Sequence, residues 1–224
     1  MSSFVIKCIA CITMLLDHIK YSGPVFQNFL TEYFGRLSFP LFAFLASEGY
    51  RHTSDLKKYY KRLIIFGIIS QIPFMFFRTL VGEWKMLNIM FTLLLGIISI
   101  NIYDKIKKKY ISIPLVIFSV FLGEFLRVDY GWLGVLTVFL MYAFRDKKYF
   151  LPLIYGITIF IYYYSVLGSK YIFNIRNVLL MLFTWSATFI INNYNGEKGK
   201  SMKYFFYWFY PVHMLGVYLL HFMF

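Results

Sequence analysis

The chain has 224 residues, 60% hydrophobic and 15% charged, with 27 Phe, 20 Tyr and a mean hydropathy of +0.64. A water-soluble domain of this size cannot hide that much apolar surface, so the composition excludes an ordinary globular protein and predicts an all-α polytopic membrane bundle. The net charge of +13 arises from 23 Lys and Arg against 10 Asp and Glu; these cations cluster in short stretches between apolar runs, as membrane-flanking loops do, which argues against nucleic-acid binding.

Nine apolar runs follow in chain order, over about 4–24, 34–50, 62–80, 87–103, 111–126, 130–144, 150–167, 175–193 and 203–223. Each is near the length that crosses a bilayer, the sixth being short. The first carries one early lysine, Lys7, with no small-residue cleavage site after it, and reads as a retained membrane helix. It also holds Cys8 and Cys11. Their CxxC spacing inside an apolar run suits small packed residues better than a redox pair, which needs an accessible, electropositive thiol.

The cations alternate between the two sides of this arrangement. Arg51, Lys57, Lys58, Lys61 and Arg62 follow the second run, and Lys105, Lys107, Lys108 and Lys109 the fourth. Arg145, Lys147 and Lys148 follow the sixth, and Lys198, Lys200 and Lys203 the eighth. With Lys7 these are sixteen; Lys20, Arg36, Arg78, Lys85, Arg127, Lys170 and Arg176 make the seven of the other side. The positive-inside rule then puts the N-terminus in the cytoplasm, and nine spans put the C-terminus outside. No internal repeat or separable soluble stretch appears, so residues 1–224 read as one domain and function must lie within the bundle and its short loops.

Ionisable groups within membrane spans are costly and mark function. Asp17 and His18, in "MLLDHIKY", lie in the outer half of the first span. A histidine there can take a proton from an attacking hydroxyl or amine near neutral pH. Consecutive helical residues point about 100° apart, so Asp17 need not touch His18; pairing with Lys20, three residues on, is the plainer reading. Arg36 opens the second span, either as an interfacial anchor or as a partner for Asp17. Glu48 closes that span, with Arg51 and His52 at helix-pair spacing. Tyr210 and His213 flank Pro211 in "FYPVH", where the proline frees the carbonyl near Tyr207 and His213 either shapes a cavity or bonds that carbonyl. Glu124, Arg127 and Asp129 cluster at one outer turn. No Walker loop, GxGxxG, HExxH, GxSxG or metal-ligand cluster is present.

The stretches "KCIACITMLLDHIKY", "FGRLSFPLFAFLASEGYRHTSDLKKYYKRL", "ISQIPF", "NIMFTLLLG", "DYGWLGVL" and "KYFFYWFYPVHMLGV" resemble, in this order, the TraX family, typified by the conjugative F-pilin acetylase. The resemblance covers nearly the whole chain. It implies an integral membrane acetyltransferase of the bacterial cytoplasmic membrane, distantly similar to the transmembrane acyltransferases. It also implies acetyl-CoA as donor, His18 as catalytic base with Asp17 beside it, and Arg36, Glu48, Tyr210 and His213 as pocket residues. Lys57, Lys58, Lys61 and Arg62 are the candidate phosphate cluster for acetyl-CoA, a reading that the positive-inside bias explains equally well. The implied acceptor is extracytoplasmic, a pilin-like protein or an envelope glycan taking acetyl on an amine or hydroxyl; membrane lipids and a homo-oligomer are the other expected partners. The competing class is a small proton-coupled transporter or flippase using Asp17, Arg36, Glu124 and Asp129.

Overall fold

A computed structural model describes residues 1–82 and 85–223. Among them the protein is all helical: α1 (Ser3–Ile19), a short α2 (Phe29–Tyr33), α3 (Ser38–His52), α4 (Leu56–Thr79), α5 (Ile89–Lys105), α6 (Lys109–Phe125), α7 (Gly131–Ala143), α8 (Phe150–Tyr171), α9 (Ile175–Asn192) and α10 (Lys203–His221). The nine longer helices occupy the nine apolar runs. Of these, α4, α8 and α9 are long and apolar enough to cross a membrane. At about 1.5 Å per residue the 13 residues of α7 span about 20 Å, less than a bilayer's apolar thickness.

Local chemistry sets the helix starts. Ser2, Asp55, Asn88 and Asn174 each accept a backbone N–H of the first turn of α1, α4, α5 and α9. The Asp55 cap moves the start of α4 six residues ahead of the apolar run. Lys57, Lys58, Lys61 and Arg62 therefore belong to its first two turns and not to a loop. The first run is also interrupted: α1 ends at Ile19, and Gly23-Pro24 opens a 3-10 turn. The second run does not begin as α-helix. Residues Phe34–Leu37 form a second 3-10 turn, so Arg36 sits on a tight turn ahead of α3.

Side-chain and backbone contacts sort the helix ends into two groups. At one end Glu48 takes both Arg145 Nε (2.8 Å) and an outer Arg145 nitrogen (3.3 Å). Arg51 reaches Asp146 at 3.1 Å, Tyr142 donates to Asp104, and the Met1 ammonium donates to the Asn193 carbonyl at 2.6 Å. This end carries the sixteen cations, Lys203's side chain lying outside the described part. Hydrogen bonds from Arg145 and Arg51 hold the Asp146 carboxyl below the usual carboxylate range. That contribution to stability is present at neutral pH and is lost as acid protonates the group. At the opposite end lie Lys20, Arg36, Arg176 (paired with Glu32 at 2.7 Å) and His221.

The core is built on Phe44, Phe74, Leu41, Ile97, Met141 and Met214, all nearly inaccessible. By contrast Ile68, Ile72, Phe118, Phe121 and Phe160 point outward from α4, α6 and α8. Such a shell suits a protein whose solvent is lipid. Glycines bring α5, α6 and α7 together: a Cβ on Gly96 would stand 2.4 Å from the Val138 Cβ, and one on Gly123 2.6 Å from a Val135 methyl. Short α7 is thus a packed interior helix. Gly96→Ala is expected to overpack this contact by about 1–3 kcal/mol and lower the thermal midpoint of the solubilised protein by several degrees. Gly216→Ala meets open space and is expected not to lower it; a fluorescence melt of both variants checks the contrast.

Candidate functional site

Asp17 and His18 occupy the last turn of α1, where the helix is tied to α10 far away in sequence. Ser22 Oγ donates to the Val217 carbonyl (3.1 Å), and His221 Nδ1 meets the Ser22 carbonyl (3.1 Å). At the other end of the same two helices the Phe4 and Phe206 rings meet edge to face. The two helices therefore run parallel in fixed register, and that register brings His18 against His213. Their nitrogens, His18 Nδ1 and His213 Nε2, lie 2.7 Å apart.

The proton positions along this pair follow from one carbonyl. His213 Nδ1 lies 2.8 Å from the Phe209 oxygen, which can only accept. His213 Nδ1 therefore carries a proton, and Nε2 of the neutral ring accepts. His18 Nδ1 must then donate to it, which leaves His18 Nε2 as the bare nitrogen and so the basic one. The carbonyl is not the one expected at Tyr207. A side chain bonding back along its helix reaches the residue four before it, and for His213 that is Phe209. Phe77 from α4 packs on the His18 ring, while Phe209 stacks on the His213 ring and Tyr210 lies beside it at 5.7 Å. The buried Tyr210 hydroxyl has no hydrogen-bond partner among the described residues.

Asp17 is buried, 6% exposed, yet it is not the orienting partner of His18. Its Oδ1 takes Lys20 Nζ at 2.9 Å and faces Arg36 Nε at 3.8 Å, while its Oδ2 lies 4.0 Å from His18 Nε2. The two partners that the sequence offered as alternatives are thus present together. Lys20 is itself only 4% exposed, and one carboxylate between two cations is what lets all three be buried. The Arg36 turn is pressed onto α1 because residue 35 is glycine; a Cβ there would lie 2.6 Å from the Asp17 Cα.

Three tyrosines lie in the electrostatic neighbourhood of Arg36: Tyr130, Tyr163 and Tyr21. Tyr130 is held in the left-handed backbone region at φ 63° and stacks on Phe39 with ring centres 4.0 Å apart. The preceding residue, Asp129, has its carbonyl bound by Thr92 Oγ1 at 2.6 Å, and its carboxylate lies in the electrostatic neighbourhood of Asp17 and Arg78. Aromatic residues at these three positions look like membrane-interface bulk in the sequence, so nothing there distinguished them.

Other predicted site residues lie apart from this cluster. Glu48 is twelve residues beyond Arg36, about 18 Å along α3, and it belongs to the basic end through Arg145. Its helix neighbour Arg51 turns instead to Asp146; His52 remains near it at 3.4 Å. Lys57, Lys58 and Lys61 are exposed at that same end, whereas Arg62 packs over the Tyr59 ring. Glu124 is exposed and accepts the Trp132 backbone N–H at the start of α7, outside the Asp17 cluster. A cavity of about 180 Å³ at the basic end is lined by Arg145, Asp146, Lys148 and Asn192. Arg145 and Asn192 already serve Glu48, Asp146 and the Lys148 carbonyl there.

The family model described as TraX protein matches residues 2–221. A curated relative, the probable fimbrial assembly protein FimC, serogroup H1, of Dichelobacter nodosus, is 29% identical over 238 aligned residues. The alignment covers 95% of this chain and 93% of that protein. No solved structure matches. With a family match that runs from the start of α1 to the end of α10 and takes in every residue of the Asp17–His18–His213 cluster, the chain belongs to the TraX family of membrane proteins.

Proposed function

We propose that this protein is an integral membrane acetyltransferase with His18 Nε2 as its general base. The observation that carries this reading is the Phe209–His213–His18 chain, in which each nitrogen's protonation state is set by the one before it and a bare nitrogen is left beside Asp17. An acceptor hydroxyl or amine gives its proton to that nitrogen as it attacks the acetyl carbonyl of acetyl-CoA. The carbon–sulfur bond breaks, and the imidazolium returns the proton to the departing thiolate. While His18 is charged, the Asp17 carboxylate 4.0 Å away favours that state, and His213 holds the ring in place.

The charge distribution supports a sidedness for this reaction. The basic end faces the cytoplasm under the positive-inside rule, so the N-terminus is inside, the C-terminus is outside, and His18 lies in the outer half of the cytoplasmic membrane. Acetyl-CoA would enter from the basic end, with exposed Lys57, Lys58 and Lys61 meeting its phosphates. Kinship with a fimbrial assembly protein supports an acceptor in the envelope, a pilin-like protein or a glycan.

Purified protein in nanodiscs, given radiolabelled acetyl-CoA and candidate amine and hydroxyl acceptors, tests the reading. His18→Ala is expected to lower turnover by about a hundredfold or more, the usual worth of a general base, while the protein still inserts and melts cooperatively. His213→Leu is expected to lose about tenfold, and His213→Gln, whose amide oxygen reaches the place of His213 Nε2 and can accept from His18 Nδ1, to recover most of it. Near-normal turnover by His18→Ala would sink the assignment.

Neutralising Lys57, Lys58 and Lys61 together to Gln is expected to raise the KM for acetyl-CoA several-fold at unchanged kcat. An unchanged KM would leave these lysines as topology signals alone.

A further inference from the structure

A base explains how the acceptor becomes a nucleophile but leaves the other half of acyl transfer unassisted. As the acceptor attacks, the thioester carbonyl oxygen gains a full negative charge. In an apolar setting that charge needs a positioned donor. Within the cluster, Arg36 alone combines a fixed positive charge with a buried N–H that lacks a hydrogen-bond partner among the described residues. Its nearest anion, Asp17 Oδ1, stands at 3.8 Å, beyond hydrogen-bond length, and Asp17 is already bonded by Lys20 at 2.9 Å. The other oxygen of the same carboxylate lies 4.0 Å from His18 Nε2. One carboxylate therefore spaces the base on one side and the free donor on the other.

The fold holds this donor in place. Arg36 sits on a 3-10 turn whose Gly35 touches the Asp17 backbone, so the turn cannot move away from α1 without opening that contact. Tyr21, Tyr130 and Tyr163 lie in the electrostatic neighbourhood of the guanidinium, and Phe39 backs Tyr130. None of these neutral groups cancels the arginine's charge, and the hydrogen bond to Asp17 Oδ1 is already made by Lys20. A guanidinium serving only as counter-ion to Asp17 would be expected to close to bonding distance.

We propose that Arg36 is a catalytic residue that binds the acetyl carbonyl oxygen of the thioester through Nε–H and stabilises the oxyanion formed on attack. This assignment rests on the acetyltransferase reading above. In the step it describes, the acceptor's proton moves to His18 Nε2 and the new bond forms at the carbonyl carbon. The carbonyl electron pair moves onto the oxygen facing Arg36, then returns as the carbon–sulfur bond breaks. The thiolate leaves with the proton from His18.

Steady-state kinetics of the full-length protein in nanodiscs, following free thiol release from acetyl-CoA, test it. Arg36→Gln is expected to lower kcat about a hundredfold or more, the range for losing one oxyanion donor. The KM for acetyl-CoA should be unchanged. Arg36→Lys, which keeps a charge and a donor on a shorter reach, is expected to fall between Arg36→Gln and the wild type. Both variants should still melt cooperatively, because Lys20 still pairs with Asp17, with Arg36→Gln at a lowered midpoint for the lost buried cation. If the wild type releases thiol and Arg36→Gln stays within threefold of its kcat, the assignment of Arg36 falls and the enzyme reading stands. A loss confined to KM overturns it too, since that outcome gives Arg36 a role in donor binding alone. If the wild type releases no thiol with any acceptor, it is the acetyltransferase reading that falls.

Discussion

The carboxylate of Asp17 is the constraint on which the rest of this site depends. A lone negative charge inside an apolar bundle is prohibitively costly, and its presence in the last turn of α1 obliges cations to come to it. Lys20 arrives from the same helix end at 2.9 Å, and Arg36 from a neighbouring tight turn at 3.8 Å. Because the turn must approach so closely, residue 35 has no side chain. A buried pair of this kind adds little net stability but is expensive to break, about 3–5 kcal/mol when one partner is removed. It therefore acts mainly to specify geometry: with α1 seated this way, His18 has one direction left to face, toward α10.

That arrangement separates two tasks that the adjacency of Asp and His suggests are one. Asp17 gathers cations, whereas His18 is oriented by a second histidine 195 residues away, which is in turn oriented by a backbone carbonyl. The chain Phe209–His213–His18 is neutral throughout, so it can be buried without a counter-ion. It acquires charge only when Nε2 takes a proton, at the atom nearest Asp17. In a medium of low dielectric this placement is economical, because the only charge that the proposed reaction creates on the protein arises beside a carboxylate already present.

The two ends of the bundle have different chemistry for the same reason. At the basic end, Glu48, Arg145, Asp146 and Arg51 bond one another, and the groups around the nearby cavity are mutually satisfied. Around His18 satisfaction is incomplete: among the described residues the Arg36 Nε–H and the Tyr210 hydroxyl are buried without hydrogen-bond partners, as are the Arg62 Nε–H and the Tyr60 hydroxyl elsewhere in the bundle. Unpaired buried polar groups are uncommon in folded proteins, and the two that stand beside the proposed base are available to a ligand in the proposed reaction. Close glycine-mediated packing of α5, α6 and α7 gives this end a firm wall, from which Asp129 and the strained Tyr130 project.

The apolar runs by themselves determined the helical class, the nine long helices and the segregation of cations, because burial in lipid is a property of composition along a line. The family was legible too, in motifs spread over nearly the whole chain. Asp17 and His18 were conspicuous as charges where charges are costly, and Lys20 at three residues' spacing was a readable partner for Asp17. Glu48 was equally conspicuous, but its location in the basic end, with Arg145, depends on how α3 and α7 pack. Tertiary structure alone decided that His213 meets His18, that Arg36 stands on a 3-10 turn with its Nε–H 3.8 Å from Asp17, and that Tyr21, Tyr130 and Tyr163 come into its electrostatic neighbourhood. The physical reason is that each of these contacts depends on the register of helices distant in sequence. That register is set by hydrogen bonds such as Ser22 to Val217 and by the space that Gly35 leaves for Asp17, which no local periodicity encodes.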